Sequence, residues 1–254
     1  MREIEIASGF EDARDYIGRM PQTFQDPSQG RVIDQRRNVL KVFETQWGNW
    51  VVKRYRKPNF FQRFVYTYIR LPKSKRAFLY ASRLQEMGIP TPKAVAYVDT
   101  GEGALFSYGY FICEQTPDPC VFDTLTLPEV FDRRLAAAVA GFMAKIHEKG
   151  VLHGDLNLTN IMFRPEGDGW AFSVIDTNRC RFRKTLSRKE CLVELRRVSH
   201  RKDLFEVLIR EYAKARGWDE DETYAQTKVY LARFERWENF KKWYKKIKHC
   251  HRHQ

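Results

Sequence analysis

Val151-Leu152-His153-Gly154-Asp155-Leu156-Asn157-Leu158-Thr159-Asn160-Ile161 puts a carboxylate, Asp155, five residues before a carboxamide, Asn160, in a short loop bounded by apolar residues. Sixteen residues after Asn160 comes a second carboxylate, Asp176, closing another apolar run at 171–175. Two acids and an amide at this spacing suit the task of holding magnesium and a hydroxyl against a nucleotide phosphate, because hard oxygen donors are what magnesium takes.

Working outward, the pattern before this loop is β and then mixed. Residues 31–55 read as three strands with turn chemistry at Gly48-Asn49, and alternation places Val51, Lys53 and Tyr55 on one face of the last strand. Residues 58–71 read as an aromatic-rich helix, and Pro72 opens a second that runs to Met87 and is closed by Gly88 and Pro90. Strands at 93–99 and 105–114 flank the turn at 100–103, and the proline-bearing segment 115–124 is the natural hinge between lobes. Thr126 and Glu129 have capping-box spacing, which predicts a long helix from there to Gly150. Ser187 with Glu190 and Asp219 with Glu222 cap later helices, so the carboxy-terminal part is expected to be helical. Residues 1–30 are weakly patterned and read as a loose arm. The expected division is therefore an arm over 1–30, one lobe over 31–115 and a second over 116–254 with a basic helical tail, without internal repeats.

His153-Gly154-Asp155 followed by Asn160, with Val51-Val52-Lys53 upstream and Ile175-Asp176 downstream, resembles the protein-kinase-like fold. The resemblance implies an α+β, two-lobed chain, with a small antiparallel β-sheet lobe carrying helices and a mainly helical second lobe. It implies ATP and Mg2+ as cofactors. Asp155 would accept or orient the proton of the attacking hydroxyl. Asn160 and Asp176 would hold the metal, and Lys53 would neutralise the nucleotide's inner phosphates. Backbone groups from Glu114 to Thr116 would read the adenine edge, and Arg37 and Asn38 would lie over the phosphates, since no G-x-G-x-x-G precedes Lys53.

The departures from the regulated protein kinases point to the acceptor. Gly154 stands where those enzymes carry arginine, Thr177-Asn178 replaces Phe-Gly, no Ala-Pro-Glu follows, and the helix after Lys53 has no interior glutamate. Within kinase-like folds the chain is similar to the lipopolysaccharide core kinases, which act on Kdo or heptose. Arg37-Asn38, residues 51–55, Lys73-Ser74-Lys75-Arg76-Ala77, Gly88-Ile89-Pro90-Thr91-Pro92, His153-Gly154-Asp155 and residues 175–179 carry that likeness, which covers roughly residues 30–185. It implies an anionic glycolipid or saccharide substrate and work at the cytoplasmic, inner face of a Gram-negative inner membrane.

Charge agrees with that expectation. The formal net charge is +13, and excess basicity of this size serves an anionic partner. Between Thr45 and Gln85 there are ten basic residues and no acidic one, interleaved with Phe60, Phe61, Phe64, Tyr66 and Tyr68. Such a stretch suits peripheral contact with an anionic membrane as well as a solvated face packing its aromatics inward. The tail at 236–252 has the same character. A nucleic-acid partner is not expected, because it would leave the acidic loop idle. A binding module with a disabled kinase fold, or a kinase acting on a protein or another small molecule, are the alternative readings. Five cysteines without a C-x-x-C pair read as reduced thiols. The amino terminus is too acidic for a secretory signal, and the longest apolar run, ten residues from 135 to 144, is too short to span a bilayer. His153 reads as structural, and His249, His251 and His253 as a frayed terminus.

Overall fold

A computed structural model describes the backbone of residues 2–250 and the side chains of residues 2–244. The side chains of His249 and Cys250, and all of His251 and His253, lie outside the described residues. The chain forms two compact units, Met1–Asp118 with Ser173–Cys180, and Pro119–Phe172 with Arg181–Gln254.

The first unit is built on a six-stranded sheet. Its strands are β1 (Glu3–Ile6), β2 (Arg31–Asp34), β3 (Val39–Thr45), β4 (Gly48–Arg54), β5 (Ala94–Glu102) and β6 (Leu105–Glu114). They lie in the order β1-β5-β6-β4-β3-β2, antiparallel throughout. The β3–β4 hairpin turns at Gly48, whose φ of 108° favours a residue without a Cβ. Three helices join the sheet: α1 (Arg14–Gln25), α2 (Phe60–Tyr68) and α3 (Lys73–Glu86).

The first thirty residues are not a loose arm. Glu3-Ile4-Glu5-Ile6 alternates polar and apolar and pairs with β5 as β1. In α1, Ile17, Met20, Pro21 and Phe24 recur at helical spacing, and all four are buried. They pack with Trp50, Val95, Tyr110 and Ile112 in one cluster. The conventional breakers Gly18 and Pro21 hide this helix from a reading by propensity. A proline inside a helix costs about 3 kcal/mol, and here the burial of its helix face offsets it. Lys41, itself buried, donates its Nζ to the carbonyls of Asp26 (3.0 Å) and Gln29 (2.9 Å), which fastens the segment between α1 and β2.

The second unit is mainly helical, with α4 (Val121–Thr126), α5 (Arg133–Glu148), α6 (Arg188–Leu195), α7 (Lys202–Ala215) and α8 (Glu220–Cys250). Short strands β7 (Val151–Leu152), β8 (Ile161–Glu166), β9 (Gly169–Val174) and β10 (Arg181–Phe182) lie between α5 and α6, with β9 leading out towards Asp176. The expected single helix from Thr126 to Gly150 is two. Thr126 ends α4, and α5 starts only at Arg133, because Asp132 caps it by accepting from the N–H groups of Arg134 and Leu135. The other two caps are as read: Ser187 and Glu190 close a reciprocal box on α6, and Asp219 accepts from Glu222 N–H at the start of α8. At the far end of α5 a Cβ on Gly150 would fall 2.1 Å from the carbonyl oxygen of Arg183, and its φ is 74°. Glycine is therefore required there on two counts. Cys113, Cys120, Cys180 and Cys191 are free thiols. Among the described residues no helix is long and apolar enough to cross a membrane.

Candidate functional site

The first unit contributes Lys53 and Asp176. Lys53 sits on β4 between the partners Leu40 on β3 and Phe111 on β6, so its stem is enclosed by the sheet on both sides. Its Nζ lies 2.6 Å from Asp176 Oδ1, and the two side chains are 13% and 34% exposed. Asp176 has a φ of 60°, the sole positive value for a non-glycine residue among those described. Asp tolerates that left-handed region better than most residues. The following turn, Thr177–Arg179, packs against α3, with Thr177 Oγ1 donating to the carbonyl of Ala77. Asn178 Nδ2 donates to the same Asp176 oxygen at 2.5 Å. The carboxylate is thus held by the backbone before it and an amide after it. Tyr55 lies under the pair, its ring centroid 5.4 Å from Lys53 Nζ. Burial, then the charge of Asp176, pushes its phenol well above the ordinary value. Helix α3 supplies no carboxylate here, as its missing glutamate predicts; Lys53 rests on Asp176 instead.

The second unit contributes the loop after β7. Two carboxamides converge on the carbonyl of Asp155: Asn160 Nδ2 at 2.9 Å and Asn157 Nδ2 at 3.1 Å. Asn157 Oδ1 in turn accepts from Thr159 N–H at 3.0 Å. With its nitrogen spent this way, Asn160 keeps its oxygen as the group it can present to a ligand. Gly154 has a φ of 80°, so the residue that departs from the protein-kinase pattern is also the one the backbone requires.

What holds this loop is Glu194 on α6, which sequence reading missed. One of its oxygens accepts from Gly154 N–H at 2.6 Å. The other takes His153 N–H and His147 Nε2, both at 3.0 Å. His147 Nδ1 meets the Tyr212 hydroxyl at 2.8 Å. Burial alone would raise the Glu194 carboxyl, but His147 and the two loop N–H groups pull it below the usual carboxylate value. Burial likewise pulls His147 down, yet the Cys191 thiol and Glu194 hold it above the ordinary imidazole value. Nothing in linear spacing links residue 194 to residue 153, so only a partner-seeking question about buried His147 could have found it.

A pocket of about 190 Å3 opens beside Asp155, lined among others by Gly154, Arg181, Glu194, Arg196 and Arg197. Arg197 Nη1 stands 3.8 Å from Asp155 Oδ1. Guanidinium groups beside a carboxylate make a surface able to take an anionic molecule and present its hydroxyl to that carboxylate.

The remaining candidates have other duties. Asn38 Oδ1 accepts from Arg56 N–H at 3.2 Å, tying the β2–β3 turn to the end of β4. The N–H of Glu114 donates to Lys93 and that of Gln115 to Asn49, because β6 runs on to Glu114 and uses its ladder bonds. The Glu114 N–H is therefore engaged within the first unit. Thr116 Oγ1 accepts from Asp118 N–H at 3.2 Å. Arg37 is exposed and lines a pocket with Arg56, Lys57 and Lys73.

A family model described as "Lipopolysaccharide kinase (Kdo/WaaP) family" matches residues 26–230. Among solved structures, one titled "WaaP in complex with acyl carrier protein" is similar at a TM-score of 0.56 and 19% identity, over 92% of this chain and 97% of that one. At that identity the likeness shows the fold, a kinase-like α+β architecture. No curated protein matches the sequence.

Proposed function

The chain belongs to the lipopolysaccharide kinase (Kdo/WaaP) family, and from that premise we propose that it moves the γ-phosphate of ATP to a sugar hydroxyl, on Kdo or heptose, of the lipopolysaccharide inner core. Membership of a kinase family makes the chain an enzyme, against the alternative of a disabled binding module. The observation that carries the acceptor reading is the carboxylate of Asp155 in a pocket bearing Arg181, Arg196 and Arg197. Those guanidiniums share the pocket with Asp155, Glu190 and Glu194, and the excess basicity of the whole chain, +13, favours an acidic saccharide over a cationic acceptor.

The residues present suit magnesium nucleotide by the chemistry of their donors. Asp176 offers anionic oxygen on a backbone already set in place, and Asn160 a neutral oxygen, the hard ligands that magnesium accepts. When bound, the nucleotide and its metal supply the phosphoryl group and the neutralisation of its charge. Lys53, rigid on β4, is a point charge for the inner phosphates and gives up part of its hold on Asp176 to make that contact. Asp155 accepts the hydroxyl proton or points the hydroxyl at phosphorus, with the Arg197 guanidinium 3.8 Å from its carboxylate. Glu194 acts through the loop backbone, as a positioning residue.

Asp155→Ala tests the assignment. Loss of a general base typically removes about 10²–10⁴ in rate, so phosphate transfer to purified core saccharide should fall by that much in a variant with an unchanged melting point. Wild-type turnover by that variant would refute the role. Mass spectrometry of lipopolysaccharide from cells with and without the protein would identify the phosphorylated sugar.

A further inference from the structure

Helix α2 is placed unlike the other helices of its unit: it buries no residue at all. Phe60 and Phe61 are 75% and 74% exposed, and Phe64, Tyr68, Ile69 and Leu71 are also open to solvent. At ~100° per residue, positions 60, 61, 64 and 68 fall within one arc of about 100°. The opposite side is fastened to the sheet. Arg63 Nε donates to the Phe106 carbonyl at 2.7 Å, Phe106 N–H donates to Thr67 Oγ1 at 2.9 Å, and Tyr66 meets the Phe106 ring edge-on. The helix is therefore held firmly with its aromatic face outward, the reverse of what water selects.

Beside it lies a pocket of about 330 Å3 lined by Arg37, Arg56, Lys57 and Lys73, with Asn59 and Gln62 from the start of α2 and no acidic residue among its lining. Lys57 is paired with Glu102. Arg37, Arg56 and Lys73 have no carboxylate partner among the described residues. Three residues after Lys73 on α3, Arg76 is 9% exposed, and its Nε is fully buried with no hydrogen-bond partner. Its electrostatic neighbours are Arg70 and the tyrosines Tyr66, Tyr80 and Tyr55. A guanidinium taken out of water without a counter-charge is strongly unfavourable. Lys73 has the same problem: burial, then Arg37, Arg76, Arg179 and Lys53, drive its ammonium below the usual lysine value. One bound anion would relieve both groups.

We propose that α2 and this pocket are one docking surface for an anionic phospholipid membrane, with the aromatic face in the acyl boundary and a lipid phosphate held by Arg37, Arg56 and Lys73 near Arg76. Charge complementarity selects this occupant. An apolar partner would explain the aromatics and leave the cations stranded, and a soluble phosphate would explain the cations and leave the aromatics in water. The surface deepens the lipid-linked acceptor reading but does not require it, since binding to lipid is measured without nucleotide or acceptor.

The test is co-sedimentation of the full chain with phosphatidylglycerol–phosphatidylethanolamine vesicles, against phosphatidylcholine vesicles, at physiological ionic strength. Wild type should bind the anionic vesicles at least about tenfold more tightly, two or more basic contacts being worth roughly fivefold each near a charged surface. Joint Phe60→Asp and Phe61→Asp should abolish binding without changing the melting point, both side chains being exposed. Lys73→Gln should weaken it about fivefold. Arg76→Met should raise the melting point without lipid, weaken vesicle binding, and lose the thermal stabilisation that glycerol 3-phosphate confers on wild type. Asp155→Ala should bind vesicles as wild type does, which separates failure of this surface from failure of the kinase assignment. Equal binding to neutral vesicles, or wild-type binding by the aromatic or Arg76 variants, overturns the proposal. So does stabilisation by glycerol 3-phosphate without vesicle binding, or capture of acyl carrier protein by this face in place of vesicles.

Discussion

Glu194 accepts three hydrogen bonds with its side chain 7% exposed, and two of them come from the backbone of the loop that carries Asp155. A neutral residue there leaves two N–H groups and a buried histidine poorly matched. Glu194→Ala should cost about 3–5 kcal/mol, the usual penalty for removing one member of a buried pair. Glu194→Gln keeps the shape and loses the charge; it should melt less severely and lower kcat more than it raises the acceptor KM, because the loop is displaced while the pocket arginines stay. Chemical denaturation and steady-state kinetics check the two statements, and an unaltered kcat in the Gln variant would reduce Glu194 to a purely structural residue. At this scale the candidate site was partly legible. Asp155, Asn160, Asp176 and Lys53 announce themselves by order and residue type. Glu194 does not, because a carboxylate that binds backbone N–H groups forty residues away leaves no local pattern.

Among the elements, β1 and α1 decide how the first unit is closed. Phe24 is buried against Phe43 and Tyr110, with ring centroids 6.2 and 5.6 Å away. Phe24→Ala should therefore destabilise the protein by about 3–5 kcal/mol, read as a lower denaturation midpoint, and deletion of residues 1–30 should leave a chain that does not fold. A soluble, cooperative, wild-type-like truncation would show that β1 and α1 are dispensable after all. The later strands and helices were legible because their apolar periods are long and their ends carry glycine, proline or caps. Helix α1 was not, since Gly18 and Pro21 interrupt its pattern while tertiary burial of Ile17, Met20 and Phe24 overrides that local cost. The break between α4 and α5 was misplaced for a related reason: a capping-box spacing at Thr126 competes with a real cap at Asp132, and only the packing chooses.

Across the whole molecule, two buried groups tilt stability with pH in one direction. Burial lifts Asp99 to about 7, against the hydrogen bond it accepts from the Ser74 hydroxyl. A raised folded value means that the folded chain holds the proton more tightly, so this contribution is complete below about pH 4 and is lost as pH rises through 7. His147, also raised, contributes stability below about 6.5 that is lost as pH climbs through its folded value. Glu194, lowered, works the other way: its contribution is present above about 4.5 and lost as pH falls through its folded value. Together these groups favour mildly acidic conditions, and the melting point should peak between about pH 5 and 6.5. Asp99→Asn should raise the melting point at pH 8 and do little near pH 4; an equal effect at both would show that Asp99 does not titrate on unfolding.

The amino-acid order alone carried the likeness to a kinase-like architecture, the two acids, the amide and the lysine of the candidate site, and the net charge of +13. These follow from short-range spacing, strand alternation and net charge, all of which are properties of the chain as written. Tertiary structure alone decided the rest. It brought Glu194 under the loop, set Asp155 beside Arg197, turned the aromatic face of α2 to solvent, and buried Arg76 without a counter-ion. Each of these depends on which distant groups packing brings together, shuts away from water or leaves facing it, and that has no signature in linear sequence.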